Sequence, residues 1–373
     1  MEKFRIFFVG GGTGGPIAPL LAVAEELRAL DPKIELFFAG TGGKLEKQFL
    51  DNAGLAITNL YIPAGKWRRY FSLLNFTDLF KTFFGFLRAW YLLGKYRPAV
   101  VFGAGSYAQV PVMWAAWLRG VPVVAHQQDL EPLLSTRLVA PVAKTLTVSF
   151  EQTVAALPEG SGLFKKAGKS KVVWTGNPVR REILSGAAAR ARKIFGLSRD
   201  YPTLLVMGGG TGSEKINSVL AEAAPELLRY FQVIHVTGSR PAAMPRHAHY
   251  HGCEFLTAAQ LRHAYAVADL AVCRAGMSTI AELSALGKAA MLVPLPQSPQ
   301  EDNVDYLVTR RAVIGISQDF FTAELLVNVA RKAIWSKPLL ETLRKNIRKV
   351  LPTDAAEKIA ALLIRLGRER YEQ

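Results

Sequence analysis

GGGTGGPIAP at residues 10–19 and GGGTGSEKIN at residues 208–217 are two versions of one device: an apolar run, a glycine cluster, then a helical pattern. Glycines let backbone N–H groups approach an anion closely, and the helix N-terminus that follows adds partial positive charge. Outward from each cluster, short runs rich in Val, Ile and Phe alternate with helical patterns, as a parallel sheet requires. Strands are expected at 4–9, 34–39, 99–102, 122–125, 146–148 and 172–175, and again at 203–207, 232–236, 254–256, 270–273, 289–293 and 312–316. The expected fold class is therefore α/β, with two Rossmann-like doubly wound domains facing each other across a cleft. The expected division is 1–175, 176–336 and a basic helical tail, 337–373, that packs back on the first domain. The punctuation of TGNPVR at 175–180 marks the linker.

A chain of 373 residues, half of them hydrophobic and a fifth charged, can fill two such cores without disulfides or metals. Its two cysteines, Cys253 and Cys273, form no CxxC, and six scattered histidines show no zinc spacing. No run of about 18 uncharged apolar residues occurs, so a spanning helix is not expected, and a cytoplasmic location is. The net charge of +16 calls for an anionic partner.

Gly10, Gly12 and Gly15 satisfy GxGxxG, but a dinucleotide site wants an acid ending the next strand, and the chain reads FFAGTGG at 37–43. NAD binding is disfavoured. The second cluster carries Thr211 and Ser213, whose hydroxyls suit a phosphate, and it lacks the GK[ST] ending of an ATPase loop. In VCRAGMSTIAEL, 272–283, a strand runs through Arg274 and Gly276 into a helix whose N-terminus, with Ser278 and Thr279, suits a pyrophosphate. Glu282 then lies about a turn and a half along, where a carboxylate can accept both ribose hydroxyls. The plainer alternative makes Ser278 a helix cap and Glu282 a solvated charge.

Residues 66–97 hold seven Lys or Arg against one acid, Asp78, and 11 of the 37 aromatics. Phe76, Phe80, Phe83, Phe84, Leu87 and Trp90 recur at helical spacing, flanked by Arg68, Arg69, Lys81, Arg88 and Lys95. A core helix explains part of that stripe. A helix lying on an anionic membrane surface explains the rest. Nucleic acid is not an expected partner, because bulky aliphatics accompany the charge and no recognition motif follows.

GGTGGPIAPLLAVAEEL at 11–27, VVFGAGSYAQVPV at 100–112, GNPVR at 176–180, the second glycine loop, VCRAGMSTIAEL and QEDN at 300–303 stand in the order of the MurG family, which the chain resembles over nearly its whole length. The resemblance implies the GT-B fold. It also implies inverting, metal-free transfer of N-acetylglucosamine from UDP-N-acetylglucosamine to a lipid-linked muramyl peptide, by a protein peripheral to the inner face of the cell membrane. By the same resemblance Thr13, Gly14 and Gly15 face the donor's sugar and phosphate, Arg180 lies at the uridine, and Leu256 meets uracil through its backbone. Met277, Ser278, Thr279, Ile280, Ala281 and Glu282 hold phosphate and ribose, with Gly210, Thr211, Arg274 and Asp129 also on the donor. Gln300 binds the transferred sugar, Asn303 belongs to the same motif, and Tyr107 and Gln127 line the acceptor cleft.

Three positions depart from the family pattern: Pro16 replaces a histidine, HQQD at 126–129 replaces HEQN, and Gly210 replaces a serine. With Pro16 unable to take a proton, His126 and Asp129 are the nearest substitutes for a base. His126 reads equally as a satisfied structural histidine ending a strand. The departures keep open a transferase with another UDP-sugar or glycolipid acceptor, a UDP-sugar epimerase, and a non-catalytic UDP-sugar-binding membrane protein.

Overall fold

The computed structural model describes residues 3–12, 14–65, 74–157, 171–239 and 245–372. The chain divides into two compact units, 1–180 with 353–373, and 181–352. In the first, β1 (Arg5–Val9), β2 (Glu35–Gly40), β3 (Ile57–Tyr61), β4 (Val100–Gly103), β5 (Val123–Gln127), β6 (Thr145–Val148) and β7 (Lys171–Trp174) form a sheet in the order β3-β2-β1-β4-β5-β6-β7. In the second, β8 (Thr203–Met207), β9 (Gln232–Val236), β10 (Tyr250–Cys253), β11 (Leu270–Cys273), β12 (Ala290–Leu292) and β13 (Ile314–Gly315) run in the order β10-β9-β8-β11-β12-β13. Neighbouring strands are parallel throughout.

The period of two along each strand builds the layers. On β1, Phe7 and Val9 pack with Leu92, Leu93, Val112 and Met113 on one face. Ile6 and Phe8 pack on the other with Leu20 and Leu21 of the helix Gly14–Leu30 and with Ile359 and Leu363 of the helix Ala355–Tyr371. In the second unit, Leu204 and Val206 of β8 join Ile216, Leu220, Leu227 and Leu326. Strand order reverses between β1 and β4 and between β8 and β11, so the loops after those four strands flank the crevice where such sheets bind ligands. They carry Gly10–Gly12, Tyr107, Gly208–Gly212 and Gly276.

Three expectations are corrected. The boundary falls at Arg180/Arg181, five residues beyond 175. The tail is two helices of different allegiance: Lys337–Ile347 packs in the second unit, where Ser284 Oγ donates to Ile347 O at 2.8 Å, while Ala355–Tyr371 closes the first. The strand expected at 254–256 lies at Tyr250–Cys253, and β3, an exposed edge strand whose ITNLY lacks an apolar run, was not expected at all.

Each unit buries one histidine at a strand. His126 is fully buried, its Nε2 donating to Asn177 Oδ1 at 3.0 Å while Thr147 Oγ1 lies 3.0 Å from Nδ1 and donates to it. His235 repeats the pattern: Nε2 donates to Asn217 Oδ1 at 3.0 Å, and the Tyr250 hydroxyl donates to Nδ1 at 2.6 Å. Burial pushes both imidazoles down to about 4. The unfolded chain takes up protons below its ordinary value of 6.5, while the folded imidazoles resist until about 4. Stability therefore falls across that interval as pH drops, by up to about 3 kcal/mol for each histidine. Denaturant midpoints measured from pH 7 to 4 should fall for the native protein, and less steeply for His235→Gln.

Candidate active site

At the end of β1 the backbone turns through Gly11 and Gly12, with φ of 144° and 90°, values that favour glycine. A Cβ on Gly12 would stand 3.2 Å from the Tyr107 hydroxyl, and one on Gly14 would strike the Phe49 ring. The first glycine turn and Tyr107 therefore meet, as their places after β1 and β4 require. Gly14, Gly15 and Pro16 open the helix Gly14–Leu30, half-buried, and proline in a first turn forfeits no helical bond. Thr13 lies outside the described residues.

One carboxylate that the sequence reading missed braces this turn. Glu46 is 5% exposed, and its oxygens accept from Thr41 N, Thr41 Oγ1 and Gly42 N, each at 3.1 Å. A Cβ on Gly11 would lie 3.0 Å from its Oε2, and one on Gly40 would overlap Oε1. The glycines after β1 and β2 thus make room for one acid, whose signal was its place in the first turn of the helix Lys44–Asp51.

The HQQD segment after β5 is mostly structural, which corrects two assignments. His126 has no exposed surface and both ring nitrogens bonded, so it is no proton acceptor for a substrate. Gln127, also fully buried, binds its own loop rather than a cleft: Nε2 donates to Asp129 O and Glu131 O, and Oε1 accepts from Thr136 Oγ1 at 2.5 Å. Gln128 Nε2 donates to Ala104 O at 2.7 Å, tying this loop to the end of β4. Asp129 is left half-buried at the loop. Arg180 ends the first unit with Nε donating to Glu25 Oε1 at 2.6 Å, both side chains largely buried.

In the second unit, Gly210 and Thr211 stand exposed at the turn after β8. Ser213 does not: its hydroxyl accepts from Ile216 N and caps the helix Glu214–Leu227. After β11 the helix Met277–Leu286 has Gly276 at its N-cap and no side-chain cap, so Ser278 is not the capping residue. Met277, Ile280 and Ala281 turn their side chains into the core, and the Ile280 N–H is bonded to Gly276 O, whereas Ser278, Thr279 and Glu282 keep exposed surface. Glu282 Oε2 accepts from the hydroxyl of Tyr265, a fully buried residue, at 2.7 Å. Sequence gave no sign of this, since a tyrosine in an apolar run reads as core.

Several donor-site candidates are engaged within the fold. Arg274 donates to Val293 O, Pro294 O and Gln318 Oε1. Gln300 Oε1 accepts from Ala275 N and Leu295 N, joining the turn after β11 to the loop after β12. Asn303 has no exposed surface. Leu256 buries its side chain two residues before the helix Ala258–Val267, whose N-cap Thr257 forms a reciprocal capping pair with Gln260. Among the described residues, no group of three or more His, Cys, Asp or Glu is placed to hold a metal.

The helix Leu74–Tyr96 buries Ala89, Leu92 and Leu93 and exposes Phe80, Phe83 and Phe84 by more than half, with Leu79, Leu87, Trp90 and Tyr91 also exposed. Arg119 stacks over Trp90 at 4.1 Å and Arg88 lies 5.7 Å from the Tyr91 ring centre. Arg68, Arg69 and the Phe76 side chain lie outside the described residues. No described helix is long and apolar enough to cross a membrane.

Comparison with known proteins agrees with this geometry. Residues 6–148 match the glycosyltransferase family 28 N-terminal domain and residues 203–359 its C-terminal domain. Proteins named UDP-N-acetylglucosamine–N-acetylmuramyl-(pentapeptide) pyrophosphoryl-undecaprenol N-acetylglucosamine transferase are similar end to end. That of Clostridium kluyveri is 31% identical, covering 96% of this chain and 98% of its own. That of Caldanaerobacter subterraneus is 32% identical, covering 96% and 99%. The fold matches MurG of Acinetobacter baumannii with a TM-score of 0.69 at 22% identity, over 97% of this chain and 99% of that one. It also matches a UDP-GlcNAc 2-epimerase of Neisseria meningitidis with a TM-score of 0.68 at 14% identity, over 97% and 100%. With the GT-B fold, both halves of the family 28 pattern and end-to-end relatives of that one name, the chain belongs to the MurG family within glycosyltransferase family 28.

Proposed function

We propose that the chain transfers N-acetylglucosamine from UDP-N-acetylglucosamine to a lipid-linked muramyl-peptide acceptor, with inversion, at the inner surface of the cell membrane. The observation that carries this reading is the turn after β11: a helix N-terminus without a side-chain cap, followed within the helix by the partly exposed Glu282. The N–H groups of a helix's first turn and its dipole suit a diphosphate, and a carboxylate one to two turns along suits a ribose diol. The relatives' shared name supports the same donor and acceptor.

In the reaction the acceptor hydroxyl attacks the anomeric carbon as the bond to the diphosphate oxygen breaks. The helix N-terminus then meets the charge that develops on the leaving UDP. Asp129, on the brace formed by Gln127, is the carboxylate we assign to take the hydroxyl proton, His126 being enclosed. The helix Leu74–Tyr96 brings the first unit to the lipid: its aromatic face enters the interface while basic residues meet anionic headgroups.

Three outcomes follow from these assignments. Glu282→Ala weakens UDP binding at least about tenfold, a loss of roughly 1.5–3 kcal/mol for a charged acceptor; a calorimetric titration with unchanged affinity removes the ribose assignment. Asp129→Ala lowers kcat by about 10² to 10⁴ with UDP affinity kept, whereas His126→Ala lowers the melting temperature and disturbs binding and turnover together. Sedimentation with anionic vesicles weakens as salt rises and after Phe80, Phe83 and Phe84 are changed to serine, each basic residue near the surface contributing about 1 kcal/mol. Equal binding to neutral and anionic vesicles contradicts the interface.

A further inference from the structure

We propose that Tyr265 is a positioning residue for the donor's ribose, holding the Glu282 carboxylate in the orientation that meets the sugar diol; the inference rests on the assignment of Glu282 made above. Tyr265 lies on the helix Ala258–Val267 and Glu282 on the helix Met277–Leu286, so the contact fixes one helix's side chain from another. The phenol ring has no exposed surface, and its hydroxyl donates to Glu282 Oε2 at 2.7 Å.

A buried phenol has to place its hydroxyl on some acceptor, and backbone carbonyls are the commonest. Here the acceptor is the partly exposed carboxylate of the candidate site. A glutamate side chain has three rotatable bonds, and a carboxylate on a helix surface samples several rotamers that a ligand must then narrow. A bond from a fully packed ring removes that freedom before the ligand arrives, which is the general route by which a supporting group raises affinity without touching the ligand. Burial, with the negative charge of Glu282 next, holds the phenol well above its ordinary value, so it remains a donor throughout the neutral range.

The geometry separates this role from plain core packing. Phenylalanine fills the same space, so Tyr265→Phe keeps the core while removing the 2.7 Å bond to the carboxylate. Packing alone predicts no effect tied to one ligand hydroxyl group. Positioning predicts an effect confined to ligands that carry the diol.

The test is calorimetric titration of UDP and of 2′-deoxy-UDP into the full chain, Tyr265→Phe and Glu282→Ala, with melting temperatures recorded for each. The native protein is expected to prefer UDP. Tyr265→Phe should lose about three- to tenfold in UDP affinity, the range for one net hydrogen bond, while 2′-deoxy-UDP binds as before, so that the preference shrinks toward that of Glu282→Ala. Tyr265→Phe with the native preference intact overturns the positioning role and leaves Glu282 as the ribose residue. A parallel loss for both ligands with a lowered melting temperature also overturns it, showing damage to the fold. A native protein without preference, or Glu282→Ala that retains it, overturns the ribose assignment itself and the inference with it.

Discussion

Burial of the central strands on both faces governs where this protein can meet a ligand. β1, β4, β8 and β11 are packed above and below, so their side chains are spent on the core and only the loops at their carboxyl ends remain open. At each reversal of strand order two such loops diverge, and the glycine turns after β1 and β8 and the helix N-terminus after β11 each sit at one of them. Glycine is demanded there for a physical reason. At Gly212, with φ of 78°, a Cβ would overlap Thr237 O, so the loop closes on the neighbouring strand only if no side chain is present.

The loops keep their shape through buried polar side chains that bond to backbone. Glu46 fixes 41–42 beside Gly11, Gln127 fixes 129–131, Gln128 ties that loop to Ala104, and Gln300 joins 275 to 295. An unpaired buried amide or carboxylate costs more than a typical hydrogen bond gains, so each brace holds its loop firmly once folded. This also accounts for the altered HQQD segment. Glutamine at 127 can donate and accept at once, and here it uses both abilities on its own loop, a task the acid usual in the family cannot perform when ionised.

The architecture was legible in the sequence because both of its signals are local: the alternation of apolar strand runs with helical patterns, and two glycine clusters placed at strand ends. β3 escaped since an edge strand needs no continuous apolar run, and the two-helix tail escaped since its basic composition looked the same on both sides of Pro352. The place of Glu282 on the helix that opens after Gly276 was legible in their spacing. The assignments that failed, His126 and Gln127 above all, depended on where a side chain points: a polar residue ending a buried strand can face a ligand or its own loop, and spacing does not distinguish them. Glu46 and Tyr265 were missed for the complementary reason, their partners being far along the chain or on another helix.

The aromatic face of the helix Leu74–Tyr96 and the turn after β11 belong to different units, and the proposed transfer assigns a role to each. The most direct test is incubation of the purified chain with radiolabelled UDP-N-acetylglucosamine and a lipid-linked muramyl-peptide acceptor, following UDP release and label in the lipid fraction. The account predicts that both appear together and in equal amounts. UDP binding without labelled lipid, or UDP release that ignores the acceptor, would contradict it.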